Sequence, residues 1–470
     1  MTGGRSLSGL DAMKVVVCGA GQVGYNIARY LAGAGNDVTV IDQRPELIQK
    51  IGESLDIQAI TGFASHPEIL EQAGAEDAEV LIAVTYADEV NMVACQVAHS
   101  LFNVPTKIAR VRHQSYLQSR WQDLFRREHM PIDVIISPEQ EVARAIVRRL
   151  EVPGATEVTP FADDRVRLIA TRCGADCPIL DTPLRQLTFL FPDLHLTCVG
   201  ITRGDRFFIP TGDDHLIAGD EVYSVVETSH VGRAMRAYGH EERIAERIVI
   251  TGGGNVGLFL AQQLEGNRPH VSVTIIEANP ERARFVADKL ANTVILNGDA
   301  RDPEIHEEAN LRAAQAIVCV TNDDEVNIMA ALLAKRLGCP QALTLVNNNA
   351  YAPLLGSLGV DVMINPRDTT VSSILQHVRR GRIKSAHTLR DGEAEAFEAE
   401  ALETSPLVGE RLDQARLPAG VIIGAILRDD ELIVPRADTV IRPRDRVIVV
   451  ARAALVKKVE KLFAVRLDYF

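Results

Sequence analysis

The stretch VVVCGAGQVGYNIARYL at 15–31 returns as IVITGGGNVGLFLAQQL at 248–264, and no other feature constrains the fold of this chain as strongly. A repeat has to be recognised before elements are assigned, because both copies must fold into the same kind of unit. The correspondence continues in order. VTVID, ending at Asp42, pairs with VTIIE, ending at Glu277. GFASHPEI (62–69) pairs with GDARDPEI (298–305), and AVTYADEVNMVA (83–94) with CVTNDDEVNIMA (319–330). IVRRL (146–150) echoes HVRRG (377–381), and GITRGDRFFIPTGDDHLIAGDEVYSV (200–225) echoes GAILRDDELIVPRADTVIRPRDRVIV (424–449). The 470 residues therefore read as one unit written twice, although length alone suggests roughly three domains of about 150 residues.

Each half has two parts. In the first copy, the short apolar runs VVVCG, VTVID, IQAIT, VLIAVT, TKIARV and DVIIS alternate with helical stretches. One of these is Val23–Ala32, where Ile27, Ala28 and Leu31 share a face. Strands apolar on both faces and alternating with helices predict a parallel sheet covered on each side. The second part is richer in β-signals, with turns at Arg203-Gly204-Asp205 and Ala218-Gly219-Asp220 and a helix near Ser229–Tyr238. The expected fold class is α/β: two Rossmann-type doubly wound parallel sheets, each followed by a small α+β module. The expected boundaries are a flexible extension at 1–12, Rossmann-type domains at 13–152 and 245–382, and small domains at 153–240 and 385–470.

Two glycine fingerprints carry the functional signal. GAGQVG places Gly19, Ala20, Gly21, Gln22, Val23 and Gly24 after an apolar strand and at the start of a helix. GGGNVG does the same with Gly252, Gly253, Gly254, Asn255, Val256 and Gly257. The first glycine permits the tight turn, the second admits a pyrophosphate to the backbone, and the third lets helix and sheet pack closely. The helix start offers unpaired N–H groups and partial positive charge to phosphate. Asp42 and Glu277, ending the following strands, can accept both hydroxyls of an adenosine ribose, and either would repel the 2′-phosphate of NADP. Thr85, with Tyr86 after it, and Thr321 end the fourth strands, at the rim where such sheets bind ligands. Asp88 and Asp324 have the position of helix N-caps. Arg110 and Arg112 follow the fifth strand and can reach phosphate charge, whereas the second copy has Asn347, Asn348 and Asn349 there. The two sites are therefore expected to be unequal, the second weaker for phosphates.

Charge and composition exclude other classes. The net charge of −13 makes the chain a poor general binder of nucleic acid or anionic lipid. No apolar run approaches the roughly 18–20 residues of a membrane span, and the first residues lack the apolar region of a secretory signal. Cys18, Cys95, Cys198 and Cys319 lie in apolar runs and read as buried, reduced thiols of a cytosolic protein. Cys173 and Cys177 in CGADC lack the partners of a tetrahedral metal set. The histidines do not fall into HExxH, HxH or HxxxH spacings, so no metal site is expected; His195 and His215 read as surface or core residues. No P-loop or GxSxG elbow occurs. A dehydrogenase would need a substrate domain with an acid/base and an anion clamp, and the small modules are too short to look like one.

The duplicated GxGxxG unit, the acid-ended strand, the GDA-like segment with Gly298 and Asp299, T-x-x-D-E-x-N and the small β-rich module together resemble the RCK (KTN) regulators of potassium transport. The likeness covers nearly the whole chain after Met13. It departs at Phe63, where a GDA segment would place Asp, and at Asn347–Asn349, where basic residues are more usual. The resemblance implies a non-enzymatic regulatory subunit, cytoplasmic and peripheral on the inner face of the cell membrane. It also implies NAD(H) as ligand, with ATP or ADP as alternatives, assembly as a homo-tetramer or dimer of dimers, and a membrane potassium transporter of the TrkH/TrkG type as partner.

Overall fold

The structure is a computed structural model. It describes residues 12–463 apart from 192, 352–353, 356–357, 379–382, 416 and 430, so the expected extension lies outside the described residues up to position 11. The chain forms two compact units, Met1–Pro138 with Thr370–Val378, and Glu139–Thr369 with Arg379–Phe470.

The first unit is built on a parallel sheet of β1 (Lys14–Cys18), β2 (Asp37–Asp42), β3 (Gln58–Thr61), β4 (Val80–Ala83), β5 (Thr106–Arg110) and β6 (Val134–Ile136). These are the expected strands, and their order is β3-β2-β1-β4-β5-β6, the doubly wound arrangement. Side chains alternate between two cores, as strand geometry requires. Val15 and Val17 pack with Ile27, Leu31, Ile48 and Ile51 from helices Gln22–Gly33 and Pro45–Ser54. Val16 and Cys18 pack on the opposite face with Leu70, Met92, Cys95 and Ala98 from helices Pro67–Gln72 and Asp88–Phe102. Fully burying each such Leu or Ile contributes about 1.5–3 kcal/mol. The first core is completed by Ile374, Leu375 and Val378, from the helix Pro366–Leu375 and the turn after it.

The second unit holds three sheets. Strands β7 (Ala155–Phe161), β8 (Val166–Arg172), β9 (Leu196–Arg203), β10 (Arg206–Phe208) and β11 (Glu221–Glu227) form an antiparallel sheet in the order β10-β9-β11-β8-β7. Strands β12 (Arg247–Thr251), β13 (Ser272–Glu277), β14 (Val294–Asn297), β15 (Ala316–Cys319), β16 (Gln341–Leu345) and β17 (Val362–Ile364) repeat the first parallel sheet strand for strand. Strands β18 (Ile383–Leu389), β19 (Ala394–Glu400), β20 (Val421–Arg428), β21 (Glu431–Ile433) and β22 (Arg446–Arg452) repeat the antiparallel one. Even its anchoring ion pair recurs: Arg203 Nη2 lies 2.8 Å from the buried Asp220, and Arg428 Nη2 lies 2.7 Å from the buried Asp445.

Each parallel sheet takes a helix from the other half of the sequence. The helix Pro138–Glu151, which follows β6, contributes Val142, Ile146 and Leu150 to the core of β12–β17. The first core receives Ile374 and Leu375, which follow β17. The two antiparallel sheets also share one core, where Phe161, Leu168, Val199 and Val225 meet Leu389, Ala396, Leu427 and Val450. All seven cysteines are buried free thiols. Among the described residues, no helix is long and apolar enough to cross a membrane.

Candidate functional site

The turn after β1 is shaped by glycines, and at Gly19 and Gly24 a side chain would crowd the backbone. Gly19 has φ +115°, and a Cβ there would sit 3.0 Å from Val84 O and 3.1 Å from Thr85 N. A Cβ on Gly24 would sit 1.8 Å from Gly19 O, closing the helix onto the loop. Gly21, the N-cap of the helix Gln22–Gly33, has nothing within 4 Å of its Cβ position. The turn after β12 repeats this. Gly252 has φ +103°, a Cβ on Gly257 would lie 2.0 Å from Gly252 O, and the Cβ position of Gly254 is open. In each copy the open side of the loop coincides with the first turn of a helix, whose leading N–H groups have no acceptor inside the helix.

The acids that end β2 and β13 reach these loops directly. Asp42 Oδ2 accepts the Ala20 N–H at 2.7 Å and its Oδ1 accepts the Arg44 N–H at 3.0 Å. Glu277 Oε2 accepts the Gly253 N–H at 2.6 Å and its Oε1 accepts the Asn279 N–H at 2.8 Å. This grip on the glycine loop is a second role for the acids, beside the sugar recognition that their place in the sequence predicts.

The TxxDExN segments resolve into two buried devices. Asn91, fully buried in the helix Asp88–Phe102, accepts the Thr85 N–H at 2.8 Å and the Thr85 hydroxyl at 2.7 Å on its Oδ1. Its Nδ2 donates to Thr85 O at 3.2 Å and Arg110 O at 2.9 Å, tying the ends of β4 and β5 together. Asn327 does the same, accepting from Thr321 N–H and hydroxyl at 2.8 and 2.7 Å and donating to Thr321 O and Leu345 O, each at 3.0 Å. The hydroxyls of Thr85 and Thr321 are thus turned onto asparagine, while their backbone borders Gly19 and Gly252.

The expected capping by Asp88 and Asp324 is corrected. The N-caps are Ala87 and Asp323, the latter accepting the Val326 N–H at 3.0 Å. Asp88 Oδ2 instead accepts the N–H groups of Arg112 and His113 at 2.9 and 2.7 Å. Asp324 Oδ2 accepts those of Asn347 and Asn348 at 3.0 and 2.9 Å. Both carboxylates fasten the loop that follows the fifth strand, a long-range bond that local spacing cannot reveal.

Cations reach both sites, from different elements. In the first, Arg110 Nη2 donates to Thr85 O at 2.7 Å, and the Arg112 guanidinium lies 5.9 Å from the ring centre of Tyr86, which is 85% exposed. In the second, Arg282 Nε donates to Gly253 O at 2.7 Å and its Nη2 to Asn255 Oδ1 at 3.1 Å. Burial pulls the Arg282 guanidinium down from its ordinary value, against the opposing charge of Glu277. Arg282 escaped sequence reading because the first copy has Leu47 in its place. Beside it, Gly298 donates its N–H to Glu277 O at 3.1 Å. Asp299 pairs with Arg301, whose hydrogen bonds hold its carboxyl at about 2. At the Asp299 position the first copy has Phe63, half-exposed and stacked on His66 with ring centres 5.2 Å apart.

Known proteins resemble the chain along its whole length. The TrkA-N domain model matches residues 15–138 and 248–366, and the TrkA-C domain model matches 396–464. A protein of Azorhizobium caulinodans named Trk system potassium uptake protein TrkA is 49% identical over 97% of this chain and 100% of its own length. One of the same name from Halomonas elongata is 42% identical, with the same coverage of 97% and 100%. Among solved structures, one titled "GsuK channel bound to NAD" matches with a TM-score of 0.58 at 16% identity, over 97% of this chain and 79% of that one. At that identity the likeness speaks for the fold.

Proposed function

Since the chain belongs to the TrkA family of Trk system potassium uptake proteins, we propose that it is a cytosolic, non-enzymatic regulatory subunit that binds nucleotides and gates a TrkH/TrkG-type membrane potassium transporter. The observation that carries this reading is the pair of glycine loops, each open over its middle glycine at the start of a helix and each held by the acid of the next strand. The partition into Rossmann-type domains at 13–152 and 245–382 and small domains at 153–240 and 385–470 belongs to this reading. So do a location on the inner face of the membrane and assembly as a tetramer or dimer of dimers.

The ligands are NAD(H) and, as alternatives, ATP or ADP. The residues fit such a group, since a Cβ at Gly21 or Gly254 would enter open space where a diphosphate needs room. Gly19–Gly24 and Gly252–Gly257 would hold the phosphates, and Asp42 and Glu277 the ribose. Arg110 and Arg112 in the first site, and Arg282 in the second, supply positive charge. A carboxylate oxygen has two lone pairs. Asp42 can therefore keep the Ala20 N–H while accepting a sugar hydroxyl, which couples ribose recognition to loop conformation. A ligand shifts a conformational equilibrium only by its differential affinity for the two states, and a coupling of about 1–3 kcal/mol changes affinity roughly 5–150-fold.

The test is calorimetric titration of the full chain with NADH, ATP and ADP, repeated for Asp42→Ala and Glu277→Ala. Each substitution is expected to weaken its own site at least about tenfold. Transport is read by potassium uptake in cells lacking their own regulator. Flat titrations of the unaltered chain, or uptake indifferent to its presence, would remove the proposal.

A further inference from the structure

We propose that His195, Glu227 and His230 form a binding site for a divalent transition-metal ion of the Zn2+ class at the edge of the first antiparallel sheet. The donors come from three separate places. His195 immediately precedes β9, Glu227 ends β11, and His230 closes the short 3-10 turn before the helix Val231–Ala237. One donor atom from each residue lies within 4.8 Å of those of the other two. His195 Nδ1 is 2.5 Å and His230 Nδ1 3.8 Å from the same Glu227 oxygen, Oε2. The two imidazole centres are 5.0 Å apart.

The backbone sets this cluster up. The Glu227 N–H donates to His195 O at 3.1 Å, so the two residues face each other across adjacent strands. The His195 N–H donates to His230 Nδ1 at 3.2 Å, so that nitrogen carries its lone pair, and an ion takes it by displacing this bond. Ser229 Oγ donates to Glu227 Oε1 at 3.0 Å, steadying the second carboxylate oxygen as outer partners of metal ligands do.

Donor chemistry selects the ion. Two imidazoles and one carboxylate are the donor set of open zinc sites, with a fourth position left for water. Calcium and magnesium prefer oxygen-only sets. Ligands about 2.0–2.2 Å from a tetrahedral ion stand roughly 3.3–3.6 Å apart. The separations of 2.5 and 3.8 Å from Glu227 Oε2 bracket that range, and all three donor atoms lie within 4.8 Å of one another. The side chains are 38%, 30% and 21% exposed, which gives an ion access.

The second antiparallel sheet has the same strands but different chemistry. β22 ends in Arg452 where β11 ends in Glu227, and Leu455 and Gly420 stand at the positions of His230 and His195. The site therefore belongs to the first half alone. No spacing motif announced it, because its donors lie 32 and 3 residues apart and meet through strand pairing.

The test uses untagged, chelator-treated full chain. Zn2+ is titrated in competition with a chromophoric chelator, for the unaltered protein, His195→Gln, Glu227→Gln, His230→Gln, and His215→Gln as a control from the same module. One equivalent per chain is expected for the unaltered protein and the control, with each cluster variant weaker by at least about tenfold. Absence of binding, or equal affinity in all five proteins, overturns the proposal. Co2+ loaded into the unaltered chain gives a reading independent of how the variants fold. Intense visible bands of a four-coordinate ion support the site, and the weak bands of a hexa-aquo-like ion overturn it.

Discussion

At Gly24 and Gly257 one added methyl group would collide with a carbonyl oxygen, at 1.8 and 2.0 Å. Gly24→Ala is expected to destabilise the first unit by about 1–3 kcal/mol, as overpacking does, read by urea denaturation. Gly21→Ala meets nothing within 4 Å. It should change stability by less than about 1 kcal/mol while weakening nucleotide binding, so the pair separates folding from function. Asn91→Ala removes four hydrogen bonds from a fully buried site and should cost about 2–3 kcal/mol; an unchanged urea midpoint would contradict its role. The Glu157 carboxylate, paired with His387, is a pH-sensitive point. Burial pushes Glu157 up, but the charge and bond of His387, with the charge of Arg149, bring it below its ordinary value. Its contribution is therefore present above the usual carboxylate range and fades as pH falls through that range and below. His387→Ala should lower stability by about 3–5 kcal/mol near neutral pH and flatten the acid limb of the stability curve. At this scale the glycines and the acids were legible, because their backbone demands are local. The roles of Asp88 and Arg282 were not legible, because their partners lie 24 and 29 residues away, nor was the bond by which Asn91 reaches Arg110, 19 residues off.

The elements that alternate strand and helix were readable from hydrophobic pattern alone. β1 shows why: Val15 and Val17 face one core and Val16 and Cys18 the other, so the run had to be apolar throughout. The destination of the helix Pro138–Glu151 was not readable. Its apolar face specifies burial but not the partner, and the fold sends Val142, Ile146 and Leu150 to the sheet of the other half. Leu150→Ala should cost about 2–5 kcal/mol. The loss of hydrogen-exchange protection should appear in β12 and the helix Asn255–Asn267 rather than in β1. Loss confined to 14–33 would contradict the exchange of helices.

For the whole molecule, neither half of the sequence carries all of its own core. Residues 13–240 lack Ile374, Leu375 and Val378 and the second antiparallel sheet; residues 245–470 lack Val142–Leu150 and the first. Expressed separately, each half should self-associate, and mixing should yield a one-to-one complex by size-exclusion chromatography with light scattering. Monodisperse monomers of both halves would contradict this. The sequence by itself determined the duplication, the doubly wound sheets and the two glycine turns, since strand period, turn chemistry and steric limits act over a few residues. The tertiary structure alone decided which sheet each helix covers and how the asparagines lock strand ends. It also decided where Arg282 falls and that His195, Glu227 and His230 meet. These depend on which surfaces come together, and pairing between distant segments leaves no periodic trace in the chain.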